Sequence, residues 1–297
     1  LISKLPLKKI YYFSNLLQKI FLCLACLFLF LMLFFKSTFF SHSWLIPPHG
    51  NSFYGSNEVQ DEKYDGQLRF LDSMSKLEKY FVLSIEKKQL TKIEAIYFAD
   101  QLLRERFFHK NKTISLRDNW SLYLFNYFSE NKNNTLYISS LDPDYILKSS
   151  HAYCNQQALI FQKLMQAINI DYQSVMFSIP RSPVTFGHFA SAASSNGQWF
   201  FIDSNLEPSY DEGDHLVLPN LLNGDVKLFN KLYSDYTVDI IPDGSISVGY
   251  LNKNPAFYGY LLQKITYIFS NYAWLLMALA YLGCKLTCIN INKKIRF

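Results

Sequence analysis

Acidic side chains are missing from both ends of this 297-residue chain, since all 24 Asp and Glu lie between Glu58 and Asp243. Glycine and proline are also sparse, at 11 and 10 residues, while 49% of the chain is hydrophobic and 17% aromatic, which excludes a disordered or collagen-like protein. Of the five cysteines, Cys23, Cys26, Cys284 and Cys288 sit in or beside apolar end segments, and only Cys154 belongs to the centre of the chain. A central domain with one cysteine has no internal disulfide. Ten of the 29 basic residues lie in the end segments, which leaves 19 against 24 acidic ones in the centre, a net −5 there against +5 for the whole chain. The basic surface that nucleic acid requires is therefore lacking, and no nucleic-acid partner is expected.

The ends hold long apolar runs instead. Every residue from Ile20 to Phe35 is apolar, bracketed by Lys19 and Lys36, and a second uncharged stretch runs from Ile265 to Cys284. Both have the length and character of transmembrane helices. A cleaved signal peptide is the competing account of the first, given Lys4, Lys8, Lys9 and the small residues of Ser41-His42-Ser43, but its apolar run exceeds a usual h-region. A buried amphiphilic helix is the competing account of the second, which Ser270 and Asn271 interrupt.

Lys4, Lys8, Lys9 and Lys19 precede the first run, and Lys285, Lys293, Lys294 and Arg296 follow the second, so the positive-inside rule puts both termini in the cytoplasm and the centre outside. The expected plan is a cytoplasmic basic tail over 1–19, a transmembrane helix over 20–40, a linker over 41–66, an extracytoplasmic domain over 67–258, a transmembrane helix over 259–284 and a basic tail over 285–297. Membrane lipids are thus expected partners, and a neighbouring membrane protein is a further candidate.

The domain has the pattern of an α+β fold. Leu68, Leu71, Met74, Leu77, Phe81 and Ile85 recur at helical spacing, and Thr91 with Glu94 forms the signature of a capping box at the start of a second helix. Asp118 is placed to cap a third helix through Tyr127, Asn131–Asn134 to turn the chain, and Asp142-Pro143 to start a short helical turn. Ser149 and Ser150 offer caps for a helix carrying Cys154 in its first turn and burying Ala158, Phe161, Met165 and Ile168. Strand-like segments follow at Tyr172–Ile179, Phe186–Ser194 and Gln198–Asp203, the last two joined through Asn196-Gly197. The stretch from Glu207 to Tyr250 is loop-rich.

A thiol acts as a nucleophile in its thiolate form, and the first helical turn favours an anion through its unpaired N–H groups. It needs a base, and the base an orienting partner. If Asn196-Gly197 is a two-residue loop, Ser195 pairs with Gln198, His188 falls opposite Asn205, and Asp203 becomes the diagonal neighbour of His188. Strand alternation puts both on one face, roughly 7 to 8 Å apart at the backbone, within reach of an imidazole to carboxylate hydrogen bond. An ordinary cross-strand polar pair is the plainer account of His188 and Asp203, and a buried inert thiol that of Cys154. Their conjunction in one domain favours catalysis. A metal site from the three lacks the usual close ligand pairs, because the domain has no C-x-x-C or H-x-x-x-H, and no cofactor is expected.

At these residues the chain resembles the transglutaminase-like superfamily, in its membrane-anchored bacterial form. The likeness rests on Cys154-Asn-Gln-Gln-Ala158-Leu-Ile-Phe-Gln-Lys-Leu164 followed by Ile168-Asn-Ile170, on Gly187-His188, and on Trp199-Phe-Phe-Ile-Asp203. It implies a papain-like core, a cysteine helix packed on an antiparallel sheet, with Cys154 as nucleophile, His188 as general base and acid, and Asp203 as the orienting group. Ala152 stands where relatives usually have glycine, and Ala192 where they often have an acid.

The expected chemistry is acyl transfer or hydrolysis at an amide or ester bond of a protein or peptide-like substrate, through a thioester. The alternative is an inactive scaffold of the same fold in an envelope assembly. The Cys154 backbone N–H is the expected oxyanion donor. Asn155, Gln156, His151, Trp199 and residues around Trp120 are candidates for further oxyanion or substrate contacts.

Overall fold

The computed structural model describes residues 7–37, 64–110, 112–128, 138–181, 184–204 and 246–296, which form a mixed structure of helices and sheet. Most of the 41–66 linker, the Asn131–Asn134 turn, Asn205 and most of the loop-rich stretch lie outside these residues. The chain divides into two compact units: one from 1–51, 114–138 and 261–297, the other from 52–113 and 139–260.

The first unit is built on two helices, α1 (Leu7–Lys36) and a long C-terminal helix (Phe257–Arg296), both long and apolar enough to cross a membrane. Against the transmembrane helices expected at 20–40 and 259–284, α1 starts 13 residues earlier and ends at Lys36, and the C-terminal helix runs 12 residues further. Neither has a proline to break its hydrogen-bond ladder, so helix continues into the basic tails. At 30 residues, α1 is about 45 Å long, more than the ~30 Å hydrocarbon core requires. Ser14 Oγ donates to the Cys284 carbonyl (3.1 Å), while Phe28 meets Phe269 edge-on at 5.0 Å, so the two helices run antiparallel.

In the second unit the apolar stripe from Leu68 is not one helix. A 3-10 turn spans Gly66–Phe70, and α2 (Met74–Lys88) starts separately, because Ser73 takes up the N-cap and its Oγ accepts from the Lys76 N–H. The stripe still forms one core face, with Leu68, Leu71, Leu77 and Phe81 all buried. The capping box of α3 (Lys92–Arg106) is present: Glu94 accepts from the Thr91 N–H at 2.7 Å, and Thr91 Oγ1 from the Glu94 N–H at 3.4 Å.

The sheet of this unit is antiparallel, with order β5-β4-β3-β6 for β3 (Tyr172–Arg181), β4 (Val184–Ser195), β5 (Gln198–Ile202) and β6 (Ser247–Val248). Its β4–β5 hairpin turns at Asn196 and Gly197, both at positive φ (52° and 79°), as a tight two-residue turn demands. Ser195 pairs with Gln198 and Ser191 with Ile202, the register deduced from the turn. The short β6 lies inside the stretch read as loop-rich; it forms because β3 offers it an edge at Val175 and Met176.

Against this sheet packs α6 (Cys154–Ala167), whose Leu159, Ile160, Phe161, Leu164 and Met165 join Leu77, Phe81, Ile96, Leu103, Phe200 and Ile202 in one core. Burying each large side chain is worth roughly 1.5–3 kcal/mol. That mass of contacts fixes α6, and with it the position of its first residue.

Candidate active site

The approach to α6 is held by backbone pairing. Two short strands, β1 (Phe108–His109) and β2 (His151–Ala152), pair in parallel, and Tyr153 then caps the helix so that Cys154 is its first residue. The expected caps, Ser149 and Ser150, do not reach the helix because β2 intervenes: Ser149 Oγ accepts from the His151 N–H (3.1 Å), and Ser150 Oγ lies 3.4 Å from His151 Nδ1.

Gln156 does the capping instead. Its Oε1 accepts from the N–H groups of Tyr153 (3.1 Å) and Lys112 (3.0 Å), while Nε2 donates to the carbonyls of Lys112 (2.8 Å) and Ser140 (2.9 Å). The side chain is fully buried. Both ends of its amide are thereby occupied in anchoring the helix start, which leaves it a positioning contact. The Cys154 and Asn155 N–H groups, by contrast, belong to the first turn and precede the intrahelical ladder, whose first bonds run from Gln156 and Gln157 to the Tyr153 carbonyl. Cys154 is half-exposed, neither fully buried nor open.

His188 projects from β4 opposite Phe177 and is buried against that ring, centroids 5.0 Å apart. Its Nε2 and Asp203 Oδ2 are 2.6 Å apart, and Cys154 lies near enough to act on the ring electrostatically. With Nε2 engaged, Nδ1 is the ring atom left for the thiol. Burial alone would lower the His188 pKa, but the charges of Asp203 and Cys154 and the Asp203 hydrogen bond outweigh it and raise it well above the ordinary histidine value.

Asp203 sits just past β5 and is almost fully buried. Arg104, on α3, donates from Nη2 to its backbone carbonyl and from Nε to Asp100 Oδ2 (2.9 Å), so an ion pair one helical turn long braces the residue that braces the histidine. Burial raises the Asp100 carboxyl pKa, against the lowering effect of Arg104, with nearby Asp203 adding to the rise. Neither Asp100 nor Arg104 stands out in the sequence; their i,i+4 spacing on a predicted helix was the available signal.

The remaining expected contacts fall in several places. Asn155 is half-exposed beside Cys154, and Trp199 is half-buried on β5 opposite Ser194. By strand alternation Trp199 lies on the Asp203 side of the sheet. His151 belongs to the entry strand, its ring 6.1 Å from Phe108, and burial and then Lys110 and Lys112 lower its pKa. Trp120 belongs to the other unit, and its indole N–H donates to the Ser270 carbonyl at 3.0 Å. Ala152 and Ala192 are fully buried in extended backbone. Among the described residues no group of three or more His, Cys, Asp or Glu is arranged to hold a metal ion.

The chain matches no protein-family model, no curated protein and no solved structure. The class that fold and geometry define is therefore a mixed helix and sheet protein with two apolar terminal helices and a buried, hydrogen-bonded histidine and aspartate beside a helix-start cysteine.

Proposed function

We propose that this protein is a membrane-anchored, transglutaminase-like cysteine enzyme with a papain-like core, which carries out acyl transfer or hydrolysis on an amide or ester bond. One observation carries the proposal: a half-exposed cysteine on the first residue of a helix lies beside a buried histidine, itself 2.6 Å from a buried carboxylate.

In this mechanism the Cys154 thiolate attacks the substrate carbonyl carbon, and the resulting oxyanion is held by the Cys154 backbone N–H. The His188 imidazolium then gives its proton to the leaving amine or alcohol as the C–N or C–O bond breaks. This leaves a thioester on Sγ and a neutral imidazole. An incoming amine or water loses its proton to His188 as it attacks the thioester, and Sγ departs as thiolate. Asp203 stays ionised throughout, fixing the ring through Nε2 and stabilising the imidazolium. Protein or peptide-like substrates supply such bonds.

In the same proposal α1 and the long C-terminal helix span the bilayer with both basic ends in the cytoplasm. Their antiparallel pairing suits that arrangement, since it brings the start of one beside the end of the other.

The test is alkylation of Cys154 by iodoacetamide, resolved by peptide mass spectrometry, between about pH 5 and about pH 9. Rapid labelling well below the ordinary thiol pKa, lost in His188→Ala, is expected. A profile like that of a free cysteine in both proteins would leave an inactive scaffold as the better account.

A further inference from the structure

We propose that a short helix in the first unit, α4 (Trp120–Phe128), is a membrane-interface helix that lies along the bilayer surface and inserts aromatic side chains among the lipid headgroups. The proposal rests on α1 and the long C-terminal helix spanning the membrane. The sequence of α4, Trp-Ser-Leu-Tyr-Leu-Phe-Asn-Tyr-Phe, carries no charge. At nine residues it is about 14 Å long, too short to cross the ~30 Å core. Its cap is Asn119, whose Oδ1 accepts from the Leu122 N–H at 3.3 Å, and not Asp118, whose carboxylate accepts from Ser115 Oγ at 2.7 Å.

The start of α4 is fastened to the C-terminal helix at the polar residues that interrupt its apolar run. Asn119 Nδ2 donates to Thr266 Oγ1 (2.9 Å), Trp120 Nε1 to the Ser270 carbonyl (3.0 Å), the Ser121 N–H to Ser270 Oγ (2.9 Å) and Asn271 Nδ2 to the Asp118 carbonyl (3.0 Å). Ser270 and Asn271 are thus partners for the open N-terminus of α4, on the side where it faces the apolar C-terminal helix and hydrocarbon could satisfy none of these groups.

Depth follows from α1. Trp120 stacks on Phe35 with centroids 5.5 Å apart, one residue before Lys36 closes the apolar run. That level is the boundary between hydrocarbon and headgroups. There α4 turns one side inward, burying Trp120, Leu122 and Tyr123, and leaves Phe125, Tyr127 and Phe128 at 46%, 54% and 77% exposure. Water is a poor solvent for three adjacent aromatic rings. The headgroup region, where ring bodies meet apolar chains and a phenol meets water, is a good one. On α1, next to the Phe35 that Trp120 stacks on, Leu33 and Phe34 are likewise exposed apolar side chains. A lipid surface is thus the occupant.

The test uses the full chain in phosphatidylcholine nanodiscs, with benzoylphenylalanine replacing Phe125, Tyr127, Phe128 or, in the middle of α1, Phe30. After irradiation, adducts are identified by mass spectrometry. Lipid adducts at 125, 127 and 128 in yields comparable with position 30 are expected. Adducts at 30 but at none of the three overturn the interface helix and leave the span intact, as do cross-links from the three to a second copy of the chain. Absence of lipid at position 30 as well overturns both.

Discussion

Arg104 and Asp203, 99 residues apart in the chain, are joined by a hydrogen bond from the guanidinium Nη2 to the aspartate's backbone carbonyl. The bond reaches the backbone, so it helps set where the Asp203 carboxylate stands beside His188. Arg104 also neutralises Asp100, which is buried. Arg104→Ala is expected to destabilise the fold by about 3 kcal/mol, because it strands a buried carboxylate. It should also slow Cys154 alkylation near neutral pH by about tenfold to a hundredfold. Urea denaturation and alkylation rates in the folded variant check the two effects separately. Recovery of stability but not of alkylation in Arg104→Lys would show that the planar fork, which contacts both partners, is what positions Asp203.

Asp203→Asn keeps an acceptor for His188 Nε2 and removes the charge that raises the imidazole. The His188 pKa should fall, and the alkylation profile of Cys154 should move to higher pH. Nitrogen-15 NMR of the labelled histidine reads the first, and the labelling rate the second. An unchanged His188 titration would mean that Cys154, not Asp203, sustains the imidazolium.

The raised His188 pKa has a signed consequence for stability. A group whose folded pKa exceeds its unfolded value binds more protons when folded, so its contribution is complete below the unfolded value of about 6.5 and fades as pH rises through the folded one. Melting temperature is therefore expected to decline on the alkaline side of neutrality. His188→Gln, which cannot ionise, should flatten that decline. A decline of the same slope in both proteins would assign the pH dependence to other groups.

Gln156→Ala should be costly although it removes no charge. It leaves the N–H groups of Tyr153 and Lys112 and the carbonyls of Lys112 and Ser140 without their partner in a buried place. At about 1–3 kcal/mol per stranded group, with partial relief from water, a loss of about 3 kcal/mol is expected in thermal or urea unfolding. The helix start that presents Cys154 would loosen with it, so alkylation should slow as well.

Much of the site was legible because it is local. The turn chemistry of Asn196-Gly197 and the period-two alternation of the strands determine a hairpin register by themselves, and that register places Asp203 diagonally from His188. The capping box of α3 is equally local, confined to Thr91 and Glu94. Caps misled where two neighbouring residues had equal chemistry: Asp118 and Asn119 can both cap, and the choice fell to Asn119 because Ser115 holds the Asp118 carboxylate. The unbroken helix expected from Leu68 failed for a similar reason, since spacing reports which side chains are buried and not whether the backbone between them is interrupted by a cap at Ser73.

The sequence by itself determined the apolar character of both ends, the place of Cys154 in the first turn of a helix and the pairing of His188 with Asp203, since each depends on residues within a turn, a hairpin or a single run. Only the tertiary structure decided that Cys154 meets His188, that Arg104 and Asp100 brace Asp203 from another helix, and that residues 114–138 belong with the apolar helices. Those contacts join surfaces far apart in the chain, and their geometry comes from how a helix core packs on a sheet, which no local pattern encodes.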